Sequence, residues 1–415
     1  MKVLHITKSV KGGAGIAAKR LHEALCENGV QSGFLSSNLT IRFNNQIVND
    51  PFFIYQKPSL LKKVYLKIKV LFFPNQYQKA VSQLRKIKEK LECEIVSLPF
   101  SNYKLHEHPL VKEADVINLH WIGEFVDFPS FFKNCTKPIV WTLHDMNPFQ
   151  GIFHYRNDED RNKLIAGHLD SEMKKIKEIA IQTVTNGNIV SPSKWLLEEA
   201  KKSNGFINWD GKWIPNSLSI ENFNKKDKEV LREEKAIGSD EFVVLFIADS
   251  VKNQRKGFDL LIEALSNLKN IKITILIIGK GEIPAVNMLK IISLGEVNSS
   301  SEMEACYRMA DVFVLPSRED NLPNVMLESF ACGTPIIGFH TGGIAEHTIE
   351  NLTGILADEM TAESLGNTIK KFYETRNNYN ELVIKKYAEE NFSNKKQADS
   401  YVSLYNKMLK SIYNK

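Results

Sequence analysis

Short apolar runs alternate with stretches of helical period along the chain, and they do so in two series. The first series predicts strands at Lys2–Thr7, Gly33–Ser37, Ala114–Leu119, Ile139–Leu143 and Asn188–Ser191, with helical patterns between them. Brief, nearly continuous apolar runs bounded by turn residues are what strands buried on both faces of a parallel sheet require. Residues 40–90 interrupt the series and read as irregular and basic. Residues 220–240 are charged and weakly apolar and read as an inter-domain passage. The second series predicts strands at Phe242–Ala248, Ile273–Ile278, Ile291–Leu294, Val312–Leu315 and Pro335–Gly338. Its helices are expected at Gly257–Leu268, Ser300–Met309, Pro323–Cys332 and beyond Thr361. The last fifty or so residues read as helical, and their final segment is expected to pack back on the first half. Strand, glycine loop, helix and strand over Lys2–Ser37 form one unit of a doubly wound sheet. The expected fold class is therefore α/β, with two doubly wound Rossmann-like domains facing across a cleft at the carboxyl ends of their strands. The expected divisions are 1–217, 218–393 and a terminal helix over 394–415.

Length agrees with two cores, since 415 residues exceed one ordinary domain. With 43% apolar and 25% charged residues, the composition is that of a globular protein. The stretch Met1–Thr7 reads as a short strand and lacks a signal peptide's apolar core. No apolar run approaches the roughly 20 residues of a spanning helix. Five scattered cysteines (Cys26, Cys93, Cys135, Cys306, Cys332) suit a reducing compartment, with neither a disulfide framework nor a zinc site. The expected localisation is cytoplasmic.

The charge distribution changes this picture. Net charge is +5, but residues 57–90 hold ten basic residues against Glu89 alone, so the remainder is net negative. Lys62, Lys63, Lys67 and Lys69 interleave with Leu61, Val64, Tyr65, Leu66, Ile68 and Val70. Cations alternating with apolar side chains suit an anionic membrane surface, here the inner face of the cytoplasmic membrane. A basic helix docked on its own domain is the plain alternative. No nucleic-acid fold signature accompanies the segment.

Four motifs carry candidate chemistry. Arg318-Glu319-Asp320-Asn321-Leu322-Pro323 leads from an apolar strand into a helix, with Glu328 one turn inside. A helix N-terminus offers backbone N–H groups to a phosphate, and the carboxylates can accept hydroxyl protons. Arg255-Lys256 before a helix can neutralise a diphosphate, although a solvated charge pair is the common alternative. His144 ends a predicted strand and faces the expected cleft. Neutral, it could hydrogen-bond a sugar hydroxyl; protonated, it could assist a leaving phosphate. Capping with Asp145 is the structural alternative. Gly12-Gly13-Ala14-Gly15 allows backbone to approach a ligand or simply makes a tight turn. Its spacing is not G-x-G-x-x-G, which leaves a dehydrogenase as the weakest reading. Asp158-Glu159-Asp160 matches a D-x-D metal pattern, but no apolar strand precedes it, so it reads as a surface charge run and no metal is expected.

Several of these motifs together resemble the retaining glycosyltransferases of family 4, which have the GT-B fold. The resemblance is carried by Val116–Trp121, Pro138–Met146, Ser191–Trp195, Ile214–Ser217, Arg255–Gly257, Pro316–Glu328, Ala331–Pro335 and Thr341–Gly343. The chain is similar to bacterial enzymes of exopolysaccharide, capsule or O-antigen assembly. The resemblance implies a sugar passed from a nucleotide diphosphate sugar (UDP- or GDP-linked) to a saccharide, with configuration kept and no cofactor or metal. That saccharide is expected to be lipid-linked if the basic segment meets a membrane. The resemblance implies Glu328 at the ribose and Arg255 and Lys256 at the diphosphate. It places His144 near the donor sugar and the Gly12–Gly13 loop against donor and acceptor. Asn216, Asn321, Leu322, Asn324 and Val325 are carried with them as donor-binding positions. Two departures stand out. The first acid of the family's E-x7-E pattern is Asp320, one methylene shorter, with Glu319 beside it as a rival. Ser250 and Val251 occupy the region where many members have an arginine. A sugar-nucleotide epimerase on a similar scaffold and a non-catalytic membrane-associated scaffold of a polysaccharide assembly complex are the competing readings.

Overall fold

The computed structural model describes residues 1–53, 74–219, 227–283, 289–297 and 299–413. Lys62, Lys63, Lys67 and Lys69 lie outside the described residues. The chain divides into two compact units. One comprises Met1–Pro192, Leu196–Ile214 and Ala398–Lys415; the other comprises Ser193–Trp195 and Pro215–Gln397.

The first unit holds an eight-stranded sheet of β1 (Lys2–Ile6), β2 (Gln31–Leu35), β3 (Thr40–Ile41), β4 (Ile47–Val48), β5 (Val116–Leu119), β6 (Ile139–Thr142), β7 (Gly187–Ser191) and β8 (Asp210–Trp213). The order is β4-β3-β2-β1-β5-β6-β7-β8, parallel except at β3 and β4. The chain winds one way from β1 to β2 and the other way from β1 to β5. That reversal opens a crevice at the strands' carboxyl ends, where sheets of this kind bind ligands. The helix Gly12–Glu27 follows β1 directly.

The second unit holds a six-stranded, all-parallel sheet of β9 (Phe242–Ser250), β10 (Ile273–Lys280), β11 (Lys290–Gly295), β12 (Val312–Leu315), β13 (Ile336–Phe339) and β14 (Gly354–Ala357). Its order is β11-β10-β9-β12-β13-β14. The reversal here lies between β9 and β12, so the loops after these two strands meet. Apolar side chains leave both faces of the sheet and form separate cores.

The helix Asn394–Tyr413 presents Ala398, Tyr401, Leu404, Tyr405 and Met408 at helical spacing. These side chains pack with Val3, Val116, Val140 and Leu21 in the first unit's core. Buried tyrosine hydroxyls need partners. Asn118 Nδ2 donates to Tyr405 Oη at 2.8 Å, and Thr142 Oγ1 lies 2.9 Å from Tyr401 Oη.

The structure corrects several expectations. β2 lies two residues earlier than Gly33–Ser37. The edge strands β8 and β14 have no counterpart among the predicted strands; β8 is Asp-Gly-Lys-Trp, which has no apolar run. Residues 40–90, irregular by their sequence, contain β3, β4 and the helix Gln76–Ile87. That helix has a reciprocal capping box of Asn75 and Gln78. Tyr77, Ala80, Val81 and Leu84 pack into a core beneath its lysines. Asp158 is not a surface charge. It is 1% exposed at the start of the helix Arg156–Gln182, where it accepts from the Glu94 N–H and pairs with Arg161.

Candidate functional site

The loops after β9 and β12 bring Arg255 and Lys256 onto Asp320. Lys256 Nζ donates to Asp320 Oδ2 at 2.6 Å, and Arg255 Nη1 lies 3.2 Å from the same oxygen. Arg255 Nη1 also donates to the Glu319 carbonyl at 2.9 Å. The Asn321 N–H donates to Asp320 Oδ1 at 3.1 Å. Arg255 and Asp320 are both buried. Burial by itself would raise the Asp320 carboxyl. The charges of Lys256 and Arg255 outweigh it and hold the group below the usual carboxylate range.

Two glycine positions make this approach possible. Gly257 adopts φ +71°, and a Cβ there would stand 1.9 Å from the Pro316 carbonyl oxygen. Gly342 adopts φ +47°, and its Cβ would stand 1.8 Å from the Asp320 carbonyl oxygen. The neighbouring Gly343 N–H donates to the Asn321 carbonyl at 2.5 Å. The acidic loop is thus gripped from both sides by backbone that only glycine permits at that distance. Arg318 stands outside the cluster, in a two-pronged ion pair with Asp259.

The remaining donor-binding candidates of this unit gather at the next turn. Asn324 opens the helix Asn324–Ala331, with Pro323 preceding it. Asn216 Nδ2 reaches the Leu322 carbonyl and Asn324 Oδ1, each at 3.4 Å. Asn321 is buried and accepts from Ser193 Oγ at 2.5 Å. Leu322 lies in the core, Val325 packs against it, and Glu328 is half-buried. Glu328 Oε2 accepts from Tyr307 Oη at 3.3 Å.

In the first unit, Gly12 adopts φ +76° with open space where a Cβ would stand. Gly13 follows it in the first turn of the helix Gly12–Glu27. Gly15 serves a different need, since a Cβ there would strike the Ser9 carbonyl oxygen at 2.3 Å. No acidic residue occupies that first turn, so its positive end is not neutralised by its own helix.

His144 follows β6 and is half-buried. Its Nε2 lies 3.1 Å from Nδ1 of His120. Burial lowers its pKa to about 4, so the ring is neutral near pH 7. Of the two chemistries open to His144 in the sequence, the neutral hydrogen-bonding one fits this surrounding. The neighbouring Asp145 caps the turn that follows, its Oδ1 accepting from the Asn147 N–H at 3.0 Å. Asp145 Oδ2 contacts His154 Nδ1 at 2.6 Å and accepts from Trp121 Nε1 at 2.9 Å. The loop beyond is clamped by the buried Lys177, whose Nζ donates to the carbonyls of Asn147 and Gly151, each at 2.6 Å.

The supporting residues escape sequence reasoning for identifiable reasons. Gly342 and Gly343 belong to a motif, but nothing in the spacing assigns them to the Asp320 loop. Tyr307 faces Glu328 from a different helix. His120 belongs to the stretch Val116–Trp121, and only strand register shows that it touches His144.

Residues 227–390 match the family model for glycosyl transferases group 1. The lipopolysaccharide 1,2-N-acetylglucosaminetransferase of Salmonella typhimurium is 26% identical over 203 residues, covering 43% of this chain and 53% of that protein. The alignment thus spans about half that relative's length. The N-acetyl-alpha-D-glucosaminyl L-malate synthase of Bacillus anthracis is 22% identical over 358 residues, covering 84% of this chain and 81% of that protein. Among solved structures, sucrose-phosphate synthase from Thermosynechococcus elongatus superposes with a TM-score of 0.66 at 14% identity, covering 99% of each chain. Anabaena HepE in complex with UDP and glucose gives 0.61 at 14% identity, covering 98% of this chain and 99% of that one. The family match and the relatives' names agree with the resemblance to glycosyltransferase family 4, and the solved neighbours show the GT-B fold.

Proposed function

We propose that this chain, a family-4-like glycosyltransferase by sequence, moves a sugar from a nucleotide diphosphate sugar to a saccharide acceptor in bacterial cell-surface polysaccharide biosynthesis. The observation that carries the proposal is the Arg255–Lys256–Asp320 cluster at the β9–β12 reversal. It lies within the residues that match the family. A UDP-sugar donor is supported by the likeness to HepE, which was solved with UDP and glucose, and a GDP-sugar is the other candidate.

Breaking the bond between the anomeric carbon and the diphosphate leaves negative charge on the departing oxygen. Arg255, Lys256 and the N-terminus of the helix Asn324–Ala331 stabilise that charge as it grows. The acceptor hydroxyl attacks the anomeric carbon on the face the diphosphate leaves, and its proton passes to the departing phosphate oxygen. Configuration is kept and no side chain forms a covalent intermediate. No metal is assigned, because two side-chain cations supply the positive charge. Glu328 takes the ribose hydroxyls, and Asp320, with Glu319 as its rival, addresses the donor sugar. His144 is assigned to the donor sugar and the Gly12–Gly13 loop to donor and acceptor.

A lipid-linked acceptor and peripheral attachment to the inner face of the cytoplasmic membrane rest on the basic, apolar segment around Lys62, Lys63, Lys67 and Lys69. Among the described residues, no helix is long and apolar enough to cross a membrane. The test is thermal stabilisation by UDP and GDP, followed by turnover of their hexose conjugates with and without a saccharide acceptor. Transfer that needs the acceptor supports the proposal. An isomerised sugar still on its diphosphate would make the chain an epimerase, and no nucleotide binding at all would make it a scaffold.

A further inference from the structure

The first unit's sheet carries a line of three imidazoles. His5 lies in β1, His120 directly follows β5, and His144 follows β6 by two residues. β1, β5 and β6 are adjacent, with His5 beside Asn118 and Leu119 beside Trp141. Each move to the next strand therefore comes with an advance of two residues, from the level of Asn118 to His120, and from that of Thr142 to His144. Even steps keep side chains on one face, and each advances about 6.6 Å along the strands. The three rings climb diagonally across a single face toward the carboxyl edge of the sheet.

Their nitrogens meet. His5 Nδ1 lies 2.9 Å from His120 Nε2, and His120 Nδ1 lies 3.1 Å from His144 Nε2. Ring centroids are 5.2 and 5.3 Å apart. His5 is 0% and His120 2% exposed, and His5 Nε2 has no hydrogen-bond partner among the described residues. Burial first, then the neighbouring imidazoles, hold His5 and His120 well below the ordinary histidine value. His22, Phe34 and Asp145 are among the other groups that face the line. His22 is held by Ser32 Oγ at 2.7 Å, and Asp145 is engaged with His154.

A neutral imidazole has one donor and one acceptor nitrogen. Two linked N···N contacts then allow two concerted arrangements. With every proton on Nε2, His5 would bury an N–H with no acceptor. With every proton on Nδ1, the same atom is a bare lone pair. Orphaned buried donors are rarer in proteins than under-satisfied acceptors, which selects the second arrangement.

We propose that His120, and His5 through it, are positioning residues that hold His144 as the Nδ1–H tautomer, so that it offers a donor rather than a base to a substrate oxygen. The proposal rests on the reading of His144 as a donor-sugar residue. Because the line ends at an unpartnered buried nitrogen, it orients protons and does not conduct them.

Selective ¹⁵N labelling of histidine in the full chain, read by long-range ¹⁵N–¹H correlation, reports each tautomer without any ligand. The expected result is a protonated Nδ1 and an unprotonated, hydrogen-bonded Nε2 on His144. His120→Phe removes the donor and is expected to give a tautomer mixture at His144. His120→Gln, whose amide can donate, is expected to restore the single form, and thermal melting verifies that both variants fold. A proton on His144 Nε2 in the unmodified protein, or an unchanged His144 in folded His120→Phe, overturns the proposal. Failure of UDP, GDP and their hexose conjugates to bind would overturn the function reading and leave the tautomer result standing by itself.

Discussion

Lys256 Nζ and Asp320 Oδ2 lie 2.6 Å apart, joining two loops that are 64 residues apart in sequence. The acid that the resemblance assigns to the donor sugar is therefore closed on a cation assigned to the diphosphate. Arg255 is its second cationic partner. In this chain the two roles are electrostatically tied.

Replacing Lys256 by Ala separates rate from stability. Asp320 retains Arg255 and the Asn321 N–H, so it is not left as an unpaired buried charge. The fold should survive, with a loss of about 1.5–3 kcal/mol, the range for a hydrogen bond to a charged group. Turnover at saturating donor should fall about a hundredfold or more, as a lost electrostatic stabiliser of the leaving group requires. Steady-state kinetics with a melting curve check both halves; a near-normal rate would remove Lys256 from the mechanism.

The same tie orders the two acids. Asp320→Asn leaves Arg255 and Lys256 facing each other without a carboxylate, whereas Glu319→Gln keeps the backbone carbonyl that accepts from Arg255. Asp320→Asn is therefore expected to lower both melting temperature and turnover more than Glu319→Gln does. If Glu319→Gln is the more damaging to turnover, the rival acid faces the donor sugar.

Glycine substitutions distinguish local strain from collision. Gly12→Ala meets nothing within 4 Å and bears only the left-handed φ, a cost of about 1–2 kcal/mol. Gly342→Ala adds a collision with the Asp320 carbonyl oxygen to its own positive φ. It should destabilise the protein clearly more than Gly12→Ala, and equilibrium denaturation of the two variants ranks them. Equal losses would mean that the acidic loop gives way freely.

Much of this arrangement is legible in the sequence, and its limits have physical causes. Buried parallel strands announce themselves as apolar runs, and ten of the strands can be found that way. β8 sits at a sheet edge, where the demand for continuous apolar residues relaxes, whereas β14 is a short Gly-Ile-Leu-Ala run, apolar and largely buried. Arg255, Lys256 and Asp320 can each be picked as chemistry-bearing residues. Their union depends on β9 lying beside β12, a strand order that spacing along the chain does not encode. The helix Gln76–Ile87 is hidden because its lysines set the local composition while a few apolar positions set its structure. The line from His5 to His144 needs register between three strands. Asp158 reads as a surface residue because neighbouring charges mask its burial.

Acid should destabilise the fold through its histidines before it reaches the carboxylates. His22 and His144 are held down to about 4, and His5 and His120 well below the usual value, chiefly by burial. Between about pH 6.5 and 4 the unfolded chain binds protons at these positions that the folded chain refuses. Stability therefore rises with pH across that window and falls on acidification, by up to about 1.4 kcal/mol per pH unit for each fully shifted histidine. Asp320, held below the ordinary carboxylate range, adds its loss only lower, as pH drops below about 4. Lys177, lowered to about 7 by burial, adds to the same slope chiefly at pH 7 and above, so the step from pH 6 to pH 5 reports the histidines. Denaturant unfolding at pH 7, 6 and 5 measures the slope. His120→Gln removes one titrating group and should make that slope shallower. A stability that stays level from pH 7 to pH 5 would mean that these imidazoles accept protons in the folded state.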